Sequence, residues 1–233
     1  MTSRRFLQLD VFSPYPGAGN PLAVVLDAQG LDEAAMQAIA RWTRLPETTF
    51  VFPPQAPGAS YGIRMFSPQK EVPFAGHPSV GTAHAVLELG VAVPVEGVLI
   101  QDGIAGELPL RVDGSGDART IAIRTPRAAV AEATDSMGVF AYARSQGQEW
   151  DLAVRAFVGN GRRFEDAASG AANAVLAAWL DSRDALPGTA HGYVVSQGRE
   201  VGHDARLTLR IDDHGDVWSG GQVQTVIRGT LDW

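Results

Sequence analysis

The chain has 233 residues, 45% of them hydrophobic and 19% charged, with a net charge of −7 and no cysteine. That composition fits one large or two small globular domains and excludes disulfides, thiolate metal sites and thiol acid–base pairs. Scattered basic residues leave no footprint for a nucleic acid, and no apolar run nears the roughly 20 residues of a membrane span.

The N-terminal "MTSRRFLQLDVF" lacks the apolar core and cleavage site of a signal peptide, so a soluble cytoplasmic protein is expected. "RFLQLDVF" (5–12) alternates and reads as a strand, followed by the turn-rich "SPYPGAGNP" and a second strand, "LAVVL" (22–26). Asp32 caps a predicted helix at 32–43, whose apolar residues fall near helical spacing. "ETTFVF" (47–52) and "YGIRMF" (61–66) are strands. Pro78 suits the first turn of a helix at 78–89, with Gly90 as its stop. "GVLIQ", "ELPLRV" and "TIAIR" are short strands, and 125–138 is ambiguous. Strands at 139–143 and 151–158 precede a helix at 170–180, and four further strands end the chain. Many short strands with isolated helices mean an α+β fold.

Two stretches repeat. "IRMFSPQKEVPFAGHPSVGTAHAVL" aligns with "VRAFVGNGRRFEDAASGAANAVL", and "LPLRVD" with "LTLRID". Ordered strand, loop, helix and strand matches point to duplication and to two similar lobes, 1–124 and 125–233, with a cleft between them. The last strand is free to join the first lobe. The second lobe is short of a strand–helix portion.

The two loop-to-helix junctions, "FAGHPSVG" and "FEDAASGAA", occupy equivalent places. Each sets a polar side chain, His77 or Asp166, before a helix that starts with small residues. Uncovered N–H groups there can hold a carboxylate or enolate oxygen. Either residue alone also reads as an ordinary cap or loop hydrogen-bonder. Glu47 follows Pro46 between apolar stretches, where partial desolvation would raise its pKa toward general acid–base values. "GAGNP" is no dinucleotide fingerprint, no acidic ligand joins His77 and His84 in a metal set, and Ser79 and Ser169 lie in no nucleophile elbow. No cofactor or metal is expected.

On "LDVFSPYPGAGNPLAVV", "LPETTFVF" and the two aligned junction stretches, the chain resembles the phenazine-biosynthesis F family (PhzF-like proteins) of the diaminopimelate epimerase-like fold. The resemblance implies two lobes, each a β-barrel-like sheet around a central helix, in a cofactor-free homodimer. It implies isomerisation of the trans-2,3-dihydro-3-hydroxyanthranilate type, with Glu47 moving the proton and His77 and Asp166 assisting. The implied binding set for a small anionic substrate is Asn20, Gly76, Ser79, Gly170 and Ala171. Where the family motif reads Glu-Asp-Pro-Ala-Thr-Gly-Ser-Ala, this chain has "EDAASGAA": Ala167, Ser169 and Ala171 replace proline, threonine and serine. A non-catalytic carboxylate binder derived from the same fold is the alternative expectation.

Overall fold

A computed structural model describes residues 1–126, 138–158, 164–188 and 192–233; most of the ambiguous 125–138 segment lies outside them. The first half runs β1 (Ser3–Val11), β2 (Asn20–Val25), α1 (Glu33–Thr43), β3 (Glu47–Phe52), β4 (Tyr61–Phe66), β5 (Glu71–Val72), α2 (Gly76–Glu88), β6 (Val98–Gly103), β7 (Gly106–Asp113) and β8 (Thr120–Arg124). The second runs β9 (Gly138–Arg144), β10 (Leu152–Val158), β11 (Phe164–Asp166), α3 (Gly170–Asp181), β12 (Gly192–Gln197), β13 (Ala205–Ile211), β14 (Val217–Gly221) and β15 (Val223–Asp232). No helix among the described residues is long and apolar enough to cross a membrane.

The pairing repeats. Strand β4 lies antiparallel to β3 and β5 and parallel to β6, with α2 in the crossover. Strand β10 lies antiparallel to β9 and β11 and parallel to β12, with α3 in the crossover. Each parallel strand then continues into two antiparallel neighbours, β7–β8 or β13–β14. Strand β8 pairs with β14, so one sheet runs through both halves, and β15 returns to pair with β1. The fold is α+β, with the same unit used twice.

The first half adds β1, β2 and α1 ahead of β3. The stretch between Arg124 and Gly138 is shorter than β1 and α1 together. Helix α2 is more enclosed than α3. Val80, Ala83, Ala85 and Val86 are fully buried, whereas Val175 on α3 is 37% exposed.

Strand period fixes which face each residue serves. Val51 joins Leu22, Val24, Ile63 and Met65 in the core around α2. Phe50 points the other way, joining Phe66, Met36 and Ile39 under α1. Glu47 shares parity with Val51 and so opens toward α2. The Thr49 hydroxyl, on the same face, hydrogen-bonds to that of Thr82 on α2 at 2.7 Å and fixes strand against helix.

Helix α2 begins at Gly76, two residues before the expected start, so His77 and Pro78 lie inside its first turn. It ends as expected, with Gly90 at φ +65° after Leu89. Gly81 allows close packing in its middle: a Cβ there would stand 2.5 Å from Leu22 Cδ2 and 2.8 Å from Val11 Cγ2. Gly81→Ala is expected to lower stability by about 1 kcal/mol or more in urea titration, overpacking outweighing the helix-propensity gain of about 1 kcal/mol.

Candidate active site

The Asp10 carboxylate organises the first approach to the site. It accepts from the Ser13 hydroxyl and from the N–H groups of Gly17 and Gly19, at 2.9, 2.6 and 3.0 Å. The loop "SPYPGAG" thus folds back on β1 and delivers Asn20 to the start of β2. Asn20 is buried, and its amide donates to Asp166 Oδ1 at 2.9 Å and to the Ala168 carbonyl at 2.8 Å. A side chain of the first half thereby holds the junction of the second.

Gln197, at the end of β12, holds the same junction from behind. Its Nε2 donates to the Asp166 carbonyl at 2.8 Å, and its Oε1 accepts from Asn173 Nδ2 at 2.8 Å. Ser169, not Asp166, is the N-cap of α3, accepting from the Ala172 N–H. Asp166 closes β11, and its side chain is free of the capping role that residue type alone would suggest.

The two helices meet at their first residues. A Cβ on Gly76 would stand 3.1 Å from Gly170 Cα, and one on Gly170 would stand 3.4 Å from Gly76 Cα and 3.1 Å from Ser219 Oγ. A side chain at either position would force its neighbours apart by a few tenths of an ångström. No side chain caps α2 at Ala75. Two helix N-termini, each with first-turn N–H groups and positive dipole ends, therefore converge on one place.

They open into a cavity of about 550 Å³. Glu47 and His77 of the first half and Asp166 of the second line it, together with Asn20, Gly76, Gly170 and Ala171. Ser79 does not line it: the hydroxyl is fully buried and donates to the Ala75 carbonyl at 3.0 Å, one turn back along α2. Its expected substrate contact is therefore not present in this geometry. The hydroxyls of Ser79 and Ser169 make helix-start contacts, and neither is hydrogen-bonded to a histidine among the described residues.

His77 Nε2 stands 3.2 Å from Glu47 Oε2, but the two are not an ion pair. Burial pushes the imidazole down to about 3, against a hydrogen bond to the Pro21 backbone. Proline has no N–H, so that partner is its carbonyl. His77 Nδ1 is the donor, because Nε2 lacks an aligned partner. A bare lone pair thus faces Glu47. Two acceptors so close repel unless one carries a proton, which fits a carboxyl that resists ionisation.

Burial pushes Glu47 up to about 7, and the charge of Asp166 acts in the same direction. Burial likewise raises Asp166 to about 6, opposed by hydrogen bonds from Ala168, Asn20 and Ser169. The two carboxyls titrate as a coupled pair across neutral pH. Among the described residues no cluster of histidine and acidic side chains is placed to hold a metal ion.

Arg44, which ends α1, and His203, after β12, also line the cavity and were not anticipated. Arg44 lay in the sequence just ahead of "LPE", but nothing in local pattern ties a helix end to a distant junction. His203 arrives from a turn with no motif of its own.

The raised Glu47 carboxyl carries a stability cost. An unfolded glutamate ionises near 4.5 and the folded one near 7. Between those values the folded state keeps a proton the unfolded chain has lost, so stability falls as pH rises through that window. Glu47→Gln removes the penalty and can donate to His77 Nε2. Urea denaturation should find the variant more stable than the wild type by on the order of 2 kcal/mol at pH 8, with the gap closing toward pH 4.

Residues 9–135 and 125–229 match the family described as "Phenazine biosynthesis-like protein". Over 148 residues the chain is 40% identical to antisense-enhancing sequence 1 of Schizosaccharomyces pombe, a stretch covering 60% of this chain and half of that relative's length. It is 29% identical to a trans-2,3-dihydro-3-hydroxyanthranilate isomerase of Pseudomonas aeruginosa, across 94% of each chain. In fold it matches a PhzF-family phenazine biosynthesis protein of Bacillus anthracis, with a TM-score of 0.77, 21% identity and full coverage of both chains. With the duplicated unit, the paired glycine helix starts and the family match over both halves, the chain belongs to the phenazine biosynthesis-like protein family.

Proposed function

We propose that the protein is a cofactor-independent isomerase that moves a proton within a small cyclic or unsaturated carboxylate, of the trans-2,3-dihydro-3-hydroxyanthranilate type. The observation that carries this reading is a largely buried carboxyl, Glu47, poised near pH 7 on the wall of a cavity where two helix starts converge.

The reaction needs one base and a place for negative charge. The substrate carboxylate sits against the N–H groups at Gly76 and at Gly170–Ala171. Ionised Glu47 takes a proton from a substrate carbon, and the C–H electron pair moves into the conjugated π system. The helix N-termini stabilise the charge that develops on oxygen. The same carboxylic acid then returns the proton to another carbon on the same face. One bond to hydrogen breaks, one forms, and Glu47 ends ionised. Asp166 keeps Glu47 basic through its charge, and neutral His77 offers Nε2 as the acceptor that orients the protonated carboxyl.

Glu47→Gln should fold and lose about 10²–10⁴ in the rate of solvent-deuterium incorporation into trans-2,3-dihydro-3-hydroxyanthranilate or a related acid, read by NMR. Undiminished exchange in the variant would remove Glu47 from the mechanism. Tight binding of such acids with no exchange at any pH in the wild type would favour a binding protein instead.

The pH profile gives a separate check. Glu47 must be ionised to act as base, so kcat/KM should rise with pH through about 6 to 7, where the Glu47–Asp166 pair loses protons. In Asp166→Asn the charge that raises Glu47 is gone, and the rising limb should move to lower pH.

A further inference from the structure

We propose that Arg44 determines substrate specificity by taking a second anionic group, so that the preferred ligand is a dianionic carboxylate. The inference deepens the isomerase reading of the same cavity and rests on it.

Arg44 occupies a place that does not ask for arginine. It ends α1 in the left-handed conformation, at φ +56° and ψ +15°, where glycine or asparagine closes a helix with less strain. The turn itself gains nothing from the side chain. Arg44 lines the cavity with Glu47, Gly76 and Gly170, and its guanidinium has no hydrogen bond or ion pair among the described residues. Other arginines are engaged: Arg5 with Asp27, Arg64 with Glu71 and Arg155 with Glu165, all at 2.6–2.7 Å.

The charge balance inside the cavity points the same way. Among the described lining residues the acids are Glu47, Glu165 and Asp166, and Arg44 is the one arginine or lysine. Glu165 is already held by Arg155. His77 is neutral at working pH. The converging helix starts can hold one carboxylate, which leaves Arg44 as a second anion-binding point in the same cavity as Glu47. Leu45, Phe74 and Phe164 supply apolar surface for the body of the ligand. About 550 Å³ is within the range of pockets that enclose a whole small molecule, so a second anionic group has room.

The test compares isophthalate with benzoate by titration calorimetry at low ionic strength and pH 8, where both acids are fully ionised. The wild type should bind isophthalate about tenfold or more tightly than benzoate, the scale of one charge-assisted hydrogen-bonded contact. Arg44→Gly should bring the two affinities within about twofold through loss of isophthalate affinity. Its Tm should hold or rise, because glycine relieves the left-handed turn; a merely structural role for the side chain would lower it. Arg44→Lys should restore part of the preference.

Equal affinities in the wild type, a preference that survives in Arg44→Gly, or no binding of either acid would overturn the inference. Glu47→Gln separates it from the isomerase reading. If that variant keeps the preference while no carboxylate undergoes exchange in the wild type, the isomerase reading fails and the specificity role stands. If exchange depends on Glu47 but Arg44→Gly leaves the isophthalate preference intact, only the specificity role fails.

Discussion

The backbone contact between Gly76 and Gly170 is the constraint on which the site depends. Two helices start against each other with no side chain between them. Their dipoles put like partial charge in one small volume, an arrangement that is unfavourable until something negative lies nearby. The protein supplies part of that charge itself through Glu47 and Asp166. In the proposed reaction the substrate carboxylate supplies the rest. Beside this contact, Glu47, His77 and Asp166 from different halves line one cavity.

Two side-chain amides keep that contact in register, one across the halves and one within the second. Asn20 reaches from β2 to Asp166 and Ala168, and Gln197 ties Asp166 to Asn173 of α3. Both amides are buried, where an unmade hydrogen bond is expensive, so they define position as well as add stability. The same burial makes the carboxyls resist ionisation. Stability and the proposed reactivity are thus opposed at Glu47: the desolvation that raises its pKa to about 7 is the desolvation that costs folding free energy.

Much of the fold was legible because strand alternation and helix caps are local. "ETTFVF" sorts into one face with Glu47, Thr49 and Val51 and another with Phe50, and the packing follows that sorting. The repeat was legible as ordered matches, and the pairing around β4 and β10 has the same pattern. The short second half showed in the spacing, although the partial exposure of Val175 on α3 needed three dimensions. Within the site, residue type and motif brought Glu47, His77 and Asp166 to one cavity. Ser79 misled because a serine at a helix start can donate back to the preceding turn, and here it does. Asn20 turned out to hold Asp166 as well as to line the cavity. Arg44, His203 and Gln197 were missed because their partners lie far along the chain.

The pairing of β1 with β15 bears on how the chain assembles. Ser3 lies opposite Asp232, and the register runs on to Val11 opposite Val223. Strand β1 thus has one neighbour nearby in sequence, β2, and another, β15, that follows the whole second half. Closing so long a loop is slow, and high contact order predicts slow folding. Until β15 arrives, β1 presents an unpaired edge able to capture another chain. The first half cannot reach its final form before the second is made. Truncation near the C-terminus should therefore harm the N-terminal core, remote from the cut in sequence but adjacent to it in the sheet.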